Sequence, residues 1–155
     1  MATNAAPVYG KQYIRYAETW QAAENTEGGA VGTVEIGEFR AVSYATWAGA
    51  NIAAPAGAFT AAPTTICGIN QAYMPTALAQ PYTARQLTVA TSGLLLVEVD
   101  PTSAAIDLNS ALRVNTLGQA IAAPGGTAVT LDGTTPLVRE NVTIGGRRMI
   151  LVSFA

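Results

Sequence analysis

At 155 residues and 15.9 kDa, the chain suits one compact domain with an arm or one long insertion. A net charge of −2, with eight Lys and Arg in all and Arg147-Arg148 as the only adjacent basic pair, excludes a phosphate-tracking surface; no nucleic-acid partner is expected. Histidine is absent and Cys67 is alone, which removes Ser-His and Cys-His catalysis, an intrachain disulfide and most zinc sites.

Hydrophobic residues make up 50% of the chain and charged residues 12%, about half the usual charged share. The apolar excess is mostly Ala. A surface of small, uncharged residues keeps a monomer soluble poorly but packs well against a flat partner, so the composition reads as that of an assembly protein. No stretch reaches the roughly 18 apolar residues of a membrane span. The opening MATNAAPVYGKQY lacks the basic-then-apolar pattern of a secretory signal, so synthesis in a cytoplasm, with no membrane partner, is the expectation.

Residues 1–10 are small and polar and read as an extended tail. Residues 11–24 are ambiguous. Tyr13, Tyr16, Ala17, Trp20 and Ala23 fall at helical spacing, while Ile14 and Tyr16 alternate as in a strand. Tyr9, Tyr13, Tyr16 and Trp20 crowd into twelve positions of a chain that is only 7% aromatic. The rings either cover an edge of the protein's own core or form an arm that anchors on a neighbouring subunit. Residues 25–29, NTEGG, break the pattern, and a domain organisation of an aromatic arm at 1–28 and one β domain at 29–155 follows.

Residues 31–36 and 39–44 are β-type runs joined at Gly37-Glu38. Residues 46–63, TWAGANIAAPAGAFTAAP, read as a long Ala/Gly/Pro loop around Trp47, Ile52 and Phe59; its two prolines rule out a continuous helix. A loop of that length serves either contact with a partner or cover for the protein's own sheet. Residues 65–70 form another short strand, holding Cys67 as a buried, inert thiol. Residues 71–83 connect to the central stretch.

In that stretch, residues 86–91 and 94–99 are strand-like and Ser92-Gly93 between them reads as a two-residue hairpin turn. Short strands are expected at 111–114, 119–122 and 127–131, with turns at 115–118, Pro124-Gly125-Gly126 and Asp132-Gly133. Residues 142–144 and 147–154 flank Gly145-Gly146, a turn accepting positive φ at both positions. In the last run both alternating rows are apolar, as in a strand buried on both faces or covered on one by a partner. Many short strands with turns every eight to twelve residues give an all-β fold. The expectation is a small β-sandwich or β-barrel of short antiparallel strands with an extended N-terminal arm.

Chemistry is sparse. Glu98 and Asp100 lie two apart on one strand face, with Asp107 beyond, a spacing compatible with glycoside hydrolysis or calcium. Asp100 precedes Pro101, however, and Asp107 sits where a short side chain caps local backbone, so turn formation is the preferred reading. Pro124-Gly125-Gly126-Thr127 lacks the Gly-Lys-Ser/Thr of a phosphate loop. Asn141-Val142-Thr143 matches a glycosylation triplet without a secretory context. Arg147-Arg148 is expected to tether a strand edge to solvent or to an acidic neighbour. No enzyme activity, metal or cofactor is expected.

The run VATSGLLLVEVDPTSAAIDLNSALRVNTLGQAIAAPGG resembles the capsid cement, or head decoration, proteins of tailed bacteriophages. The resemblance rests on residues 96–99, Ala104-Ala105-Ile106, Ala111-Leu112-Arg113-Val114 and Gly118-Gln119-Ala120, and on the closing run 149–154. It covers roughly residues 86–155, with a weaker echo across 31–70; the aromatic N-terminal segment and the insertion at 46–63 depart from compact members. It implies a structural virion protein, made in the host cytoplasm and placed on the outer surface of an icosahedral head. There it staples neighbouring major capsid subunits against internal pressure, usually as a homotrimer. Tyr9, Tyr13, Tyr16, Trp20, Trp47, Ile52 and Phe59 are the expected gripping residues. The alternative is a receptor- or carbohydrate-binding β-module of a phage head or tail fibre, with exposed Trp20, Trp47, Tyr73 or Tyr82 as its stacking platform.

Overall fold

A computed structural model of the chain describes residues 12–22, 37–47, 50–54, 64–71 and 86–154, with side chains at 12–19, 37–42, 64–71 and 88–154. Tyr9, Phe59 and the runs 31–36 and 72–85 lie outside the described residues. Within them the fold is all β, without a helix. In chain order the strands are β1 (Tyr13–Ala22), β2 (Ala41–Trp47), β3 (Ala50–Ala54), β4 (Gly68–Asn70), β5 (Gln86–Glu98), β6 (Arg113–Val114), β7 (Thr127–Ala128), β8 (Leu137–Ile144) and β9 (Arg147–Phe154).

β5 is the axis of the molecule. Along one edge it pairs with β1, from Tyr13↔Leu94 to Gln21↔Gln86. Along the other it meets β4 at Ala90 and Val89, then β9 from Gly93↔Phe154 to Glu98↔Met149. The pairings β5–β4–β2–β3–β1–β5 return to the strand they start from, so five strands close on themselves. β9 and then β8 continue the sheet beyond β5. All these ladders are antiparallel except β1–β3, which runs parallel at Gln21↔Ile52 and Ala22↔Ala53.

The core follows from period-two alternation. Leu95, Val97 and Val99 of the β5 run, with Ile150, Val152 and Phe154 of β9, turn one way. They pack with Ile66, Ile69, Ile106, Leu112, Val114, Val129 and Val138, so the short bridged segments between 99 and 138 lie over this face. Leu96, Met149 and Leu151 turn the other way and pack with Phe39. β9 is therefore buried on both faces by the protein itself.

Three sequence expectations change. Ser92-Gly93 is not a hairpin turn: β5 runs through it unbroken for 13 residues. Gly93 takes φ +120°, and a Cβ there would collide with the carbonyl oxygen of Tyr13. The glycine is needed because the β1 backbone crosses at that point, not because the chain reverses. Next to it the β1–β5 register shifts between Ile14 and Tyr16 and again between Tyr16 and Ala17, two adjoining bulges.

The stretch 46–63 is not one loop. Thr46 and Trp47 end β2, and residues 50–54 are β3, paired with β2 from Ser43↔Ala54 to Trp47↔Ala50. Ladder hydrogen bonds need only backbone, so an Ala-rich sequence with poor strand propensity still completes the sheet once β1 and β2 flank it.

Phe39 does not begin a strand. It sits in the Glu38-Phe39 turn at φ +61°, a conformation that costs a bulky residue free energy, while its ring is buried. Its N–H donates to the Asn70 carbonyl at 2.7 Å and its carbonyl accepts from Glu98 N–H at 2.8 Å, which holds the turn against the sheet.

The Gly145-Gly146 and Asp132-Gly133 turns form as read, each with positive φ at both central residues. The run expected as a strand at 127–131 narrows to β7 plus isolated bridges at Thr130 and Leu131. Residues 13–22, left open between helix and strand, are strand.

Candidate interaction surface

Glu98, Asp100 and the Arg147-Arg148 pair are occupied by structure, while Asp107 is exposed and apart from them. Glu98, at the end of β5, accepts Arg40 Nε and Gln119 Nε2 on one oxygen, each at 2.9 Å. Its other oxygen takes Arg147 Nη2 at 2.7 Å, and the same guanidinium reaches Glu38 at 3.3 Å. Burial alone would favour the protonated acid. Hydrogen bonds from Gln119, Arg147 and Arg40 outweigh it and hold the carboxyl below its ordinary value. Glu98 thus ties β5 to the 37–40 turn, to β9 and to the 115–120 turn.

Asp100 does not share that site. Its Oδ1 accepts the Thr102 N–H and hydroxyl, each at 2.8 Å, and its Oδ2 accepts Asn115 Nδ2 at 3.1 Å. The Thr102 bonds hold its carboxyl below the ordinary range. This is a turn cap, as the following proline indicated. Arg148 donates to the carbonyls of Ser103 and Ala104, so the arginine pair is spent on an acidic neighbour and on a loop. Burial pushes the Cys67 thiol up to about 12, with the Glu18 charge adding to it against a backbone hydrogen bond, which leaves it unreactive. Among the described residues no group of acidic, Cys or His side chains is arranged to hold a metal ion.

What stands open is β1 and its neighbour on β5. Tyr13 is 60% exposed, Tyr16 56%, Ile14 41% and Leu94 37%. Tyr13 and Leu94 are direct partners across the ladder and so share a face, and the same rung continues through Ser153 to Leu137. Leu94 is also two residues from Leu96 on one strand face, so this open strip adjoins the Phe39, Leu96, Met149 and Leu151 cluster. Tyr16 pairs with Ser92, two residues from Leu94, so Tyr13, Tyr16 and Leu94 form the candidate interaction surface on one sheet face, while Ile14, opposite Gly93, is exposed on the other.

Two of the seven residues expected to grip a partner, Tyr13 and Tyr16, are on it. Trp20, Trp47 and Ile52 are placed by backbone only, on β1, β2 and β3. Gln21 of β1 pairs with Ile52 of β3, and Trp47 pairs with Ala50, so the aromatic segment and the Ala-rich insertion become neighbouring strands at one end of the sheet. Tyr9 and Phe59 lie outside the described residues.

Sequence reasoning missed Ile14, Leu94 and Gln12. Leu94 opens the run Leu94-Leu95-Leu96, in which alternation requires at least one side chain to face away from the main core, but which one depends on the neighbouring strands. Gln12 gives no composition signal at all. Its Oε1 accepts the Leu96 N–H at 2.8 Å and its Nε2 donates to Gln71 Oε1 at 2.9 Å, so one side chain continues the β1–β5 ladder beyond the strand.

No protein-family model, curated protein or solved structure matches this chain.

Proposed function

We propose that this protein is a capsid cement, or decoration, protein of a tailed bacteriophage. It binds the outer surface of the icosahedral head and staples neighbouring major capsid subunits, as a homotrimer at the virion surface. The observation that carries the reading is the open apolar face of Tyr13 and Tyr16, on the segment expected to grip a partner, with Leu94 of β5 beside them. Aromatic side chains supply large contact area at low conformational cost, which suits an adhesive surface. The self-contained ion-pair hub at Glu98 and the turn cap at Asp100 account for the conspicuous carboxylates as structure. Multiple copies held together would turn a modest contact per subunit into tight attachment through effective concentration.

Binding of purified protein to expanded heads that lack it tests the reading. The double variant Tyr13→Ala/Tyr16→Ala is expected to keep its unfolding free energy within about 0.5 kcal/mol, as exposed sites do. It should lose head binding at least tenfold. Unchanged binding, or only a few copies per particle in purified virions, overturns the cement reading; selective binding to a glycan array would move the strip to a fibre-type receptor module.

A further inference from the structure

β1 is built as a separable unit. Residues 13–17 and 19 are exposed, so over residues 13–19 the strand is held by its main-chain ladder more than by a core of its own side chains. Among the described residues, the hydrogen-bond and ladder partners of residues 12–22 lie at positions 52–53, 71 and 86–96. The Gln12 clasp belongs to the same unit, because its contacts are to Leu96 of β5 and to Gln71 just beyond β4. Fourteen residues, 23–36, separate Ala22 from Gly37, a length that reaches up to about 50 Å when extended.

We propose that β1 is an exchangeable strand: where copies are crowded it leaves its own β3 and β5 and completes the same ladders on β3 and β5 of a second copy of this chain. The ladder, the close approach at Gly93 and the Gln12 clasp are identical within one chain or between two, and among the described side chains none of residues 12–19 belongs to a buried cluster. Exchange is therefore decided by concentration. Tethering through a connection of fourteen residues gives its own strand an effective concentration on the order of millimolar. Dilute protein stays closed; copies packed side by side on a surface exchange. The inference does not depend on the capsid reading, and its test uses purified protein alone, so either can fail without the other.

Thr19 and Thr88 are direct ladder partners and both exposed, as are Tyr13 and Leu94 at the other end. In a Cys67→Ser background, Thr19→Cys/Thr88→Cys and, separately, Tyr13→Cys/Leu94→Cys are equilibrated over a range of concentrations, oxidised, and run on non-reducing gels. The expected result is intrachain-bonded monomer when dilute, with interchain-linked species becoming the majority above about 1 mM. Thr19→Cys alone should stay unlinked. Intrachain bonds at every concentration with either pair, equal linking by the single-cysteine control, or no bond at either pair overturns the proposal.

Discussion

β1 and β9 both pair with β5, and at Leu94 they stand on its two sides, yet they are held in opposite ways. β9 presents Ile150, Val152 and Phe154 to one cluster and Met149 and Leu151 to another, so both faces are packed. β1 shows Tyr13, Ile14 and Tyr16 to solvent and is joined through its backbone. A ladder specifies where a strand lies; only side-chain burial makes leaving expensive. The comparison separates the part of the molecule that keeps it folded from the part available for contact.

The largest expected effect is on the packed side. Ile150→Ala removes a fully buried side chain and should cost about 2–5 kcal/mol, read by urea unfolding. A loss under about 1 kcal/mol would mean that β9 is no better anchored than β1.

Next comes the hub beneath both strands. Glu98→Gln takes the carboxylate from Arg40 and leaves Arg147 with Glu38 alone, and should cost about 2–4 kcal/mol at neutral pH, discounted because the group is partly solvated. Because the folded carboxyl titrates below its ordinary value of 4.5, wild type holds this advantage above that pH. The advantage fades as pH falls through the folded value, and the two unfolding curves should converge in acid. A gap that persists unchanged in acid would remove the charge from the explanation.

The smallest and most local effect is at Gly93. Gly93→Ala puts a Cβ on the Tyr13 carbonyl and forces Ala to a positive φ, at a cost of about 1–3 kcal/mol. Hydrogen exchange should speed up at residues 13–21 while residues 149–154 keep their protection. Equal loosening of both strands would show that β1 and β9 open as one unit.

Much of the β9 side was legible from the chain. Its two apolar rows predict burial on both faces, and Gly145-Gly146 and Asp132-Gly133 are turns whose chemistry matches their geometry. The β1 side was not legible, for particular reasons. Tyr13, Tyr16 and Trp20 satisfy helical spacing, and only β5 alongside makes residues 13–22 a strand. Ser92-Gly93 has the residues of a hairpin turn, but the same glycine serves a backbone crossing, and the two uses look alike without the neighbour. Residues 50–54 are Ala-rich and carry no strand pattern, so the sequence alone reads as loop there. Of the candidate surface, Tyr13 and Tyr16 are legible from aromatic clustering; Leu94 depends on register. The hub at Glu98 was invisible because its arginines are 58 and 49 residues away.

The rung at Gly93 and Leu94 has a mechanical consequence. Tyr13, where β1 starts, and Phe154, where β9 ends, both arrive there, separated by the single strand β5 and so by about 10 Å. A pull entering at one and leaving at the other crosses one strand and bypasses the rest of the sheet. The body of the fold behaves as a bead hung beside a short link, and the load falls on the two ladders that flank Gly93.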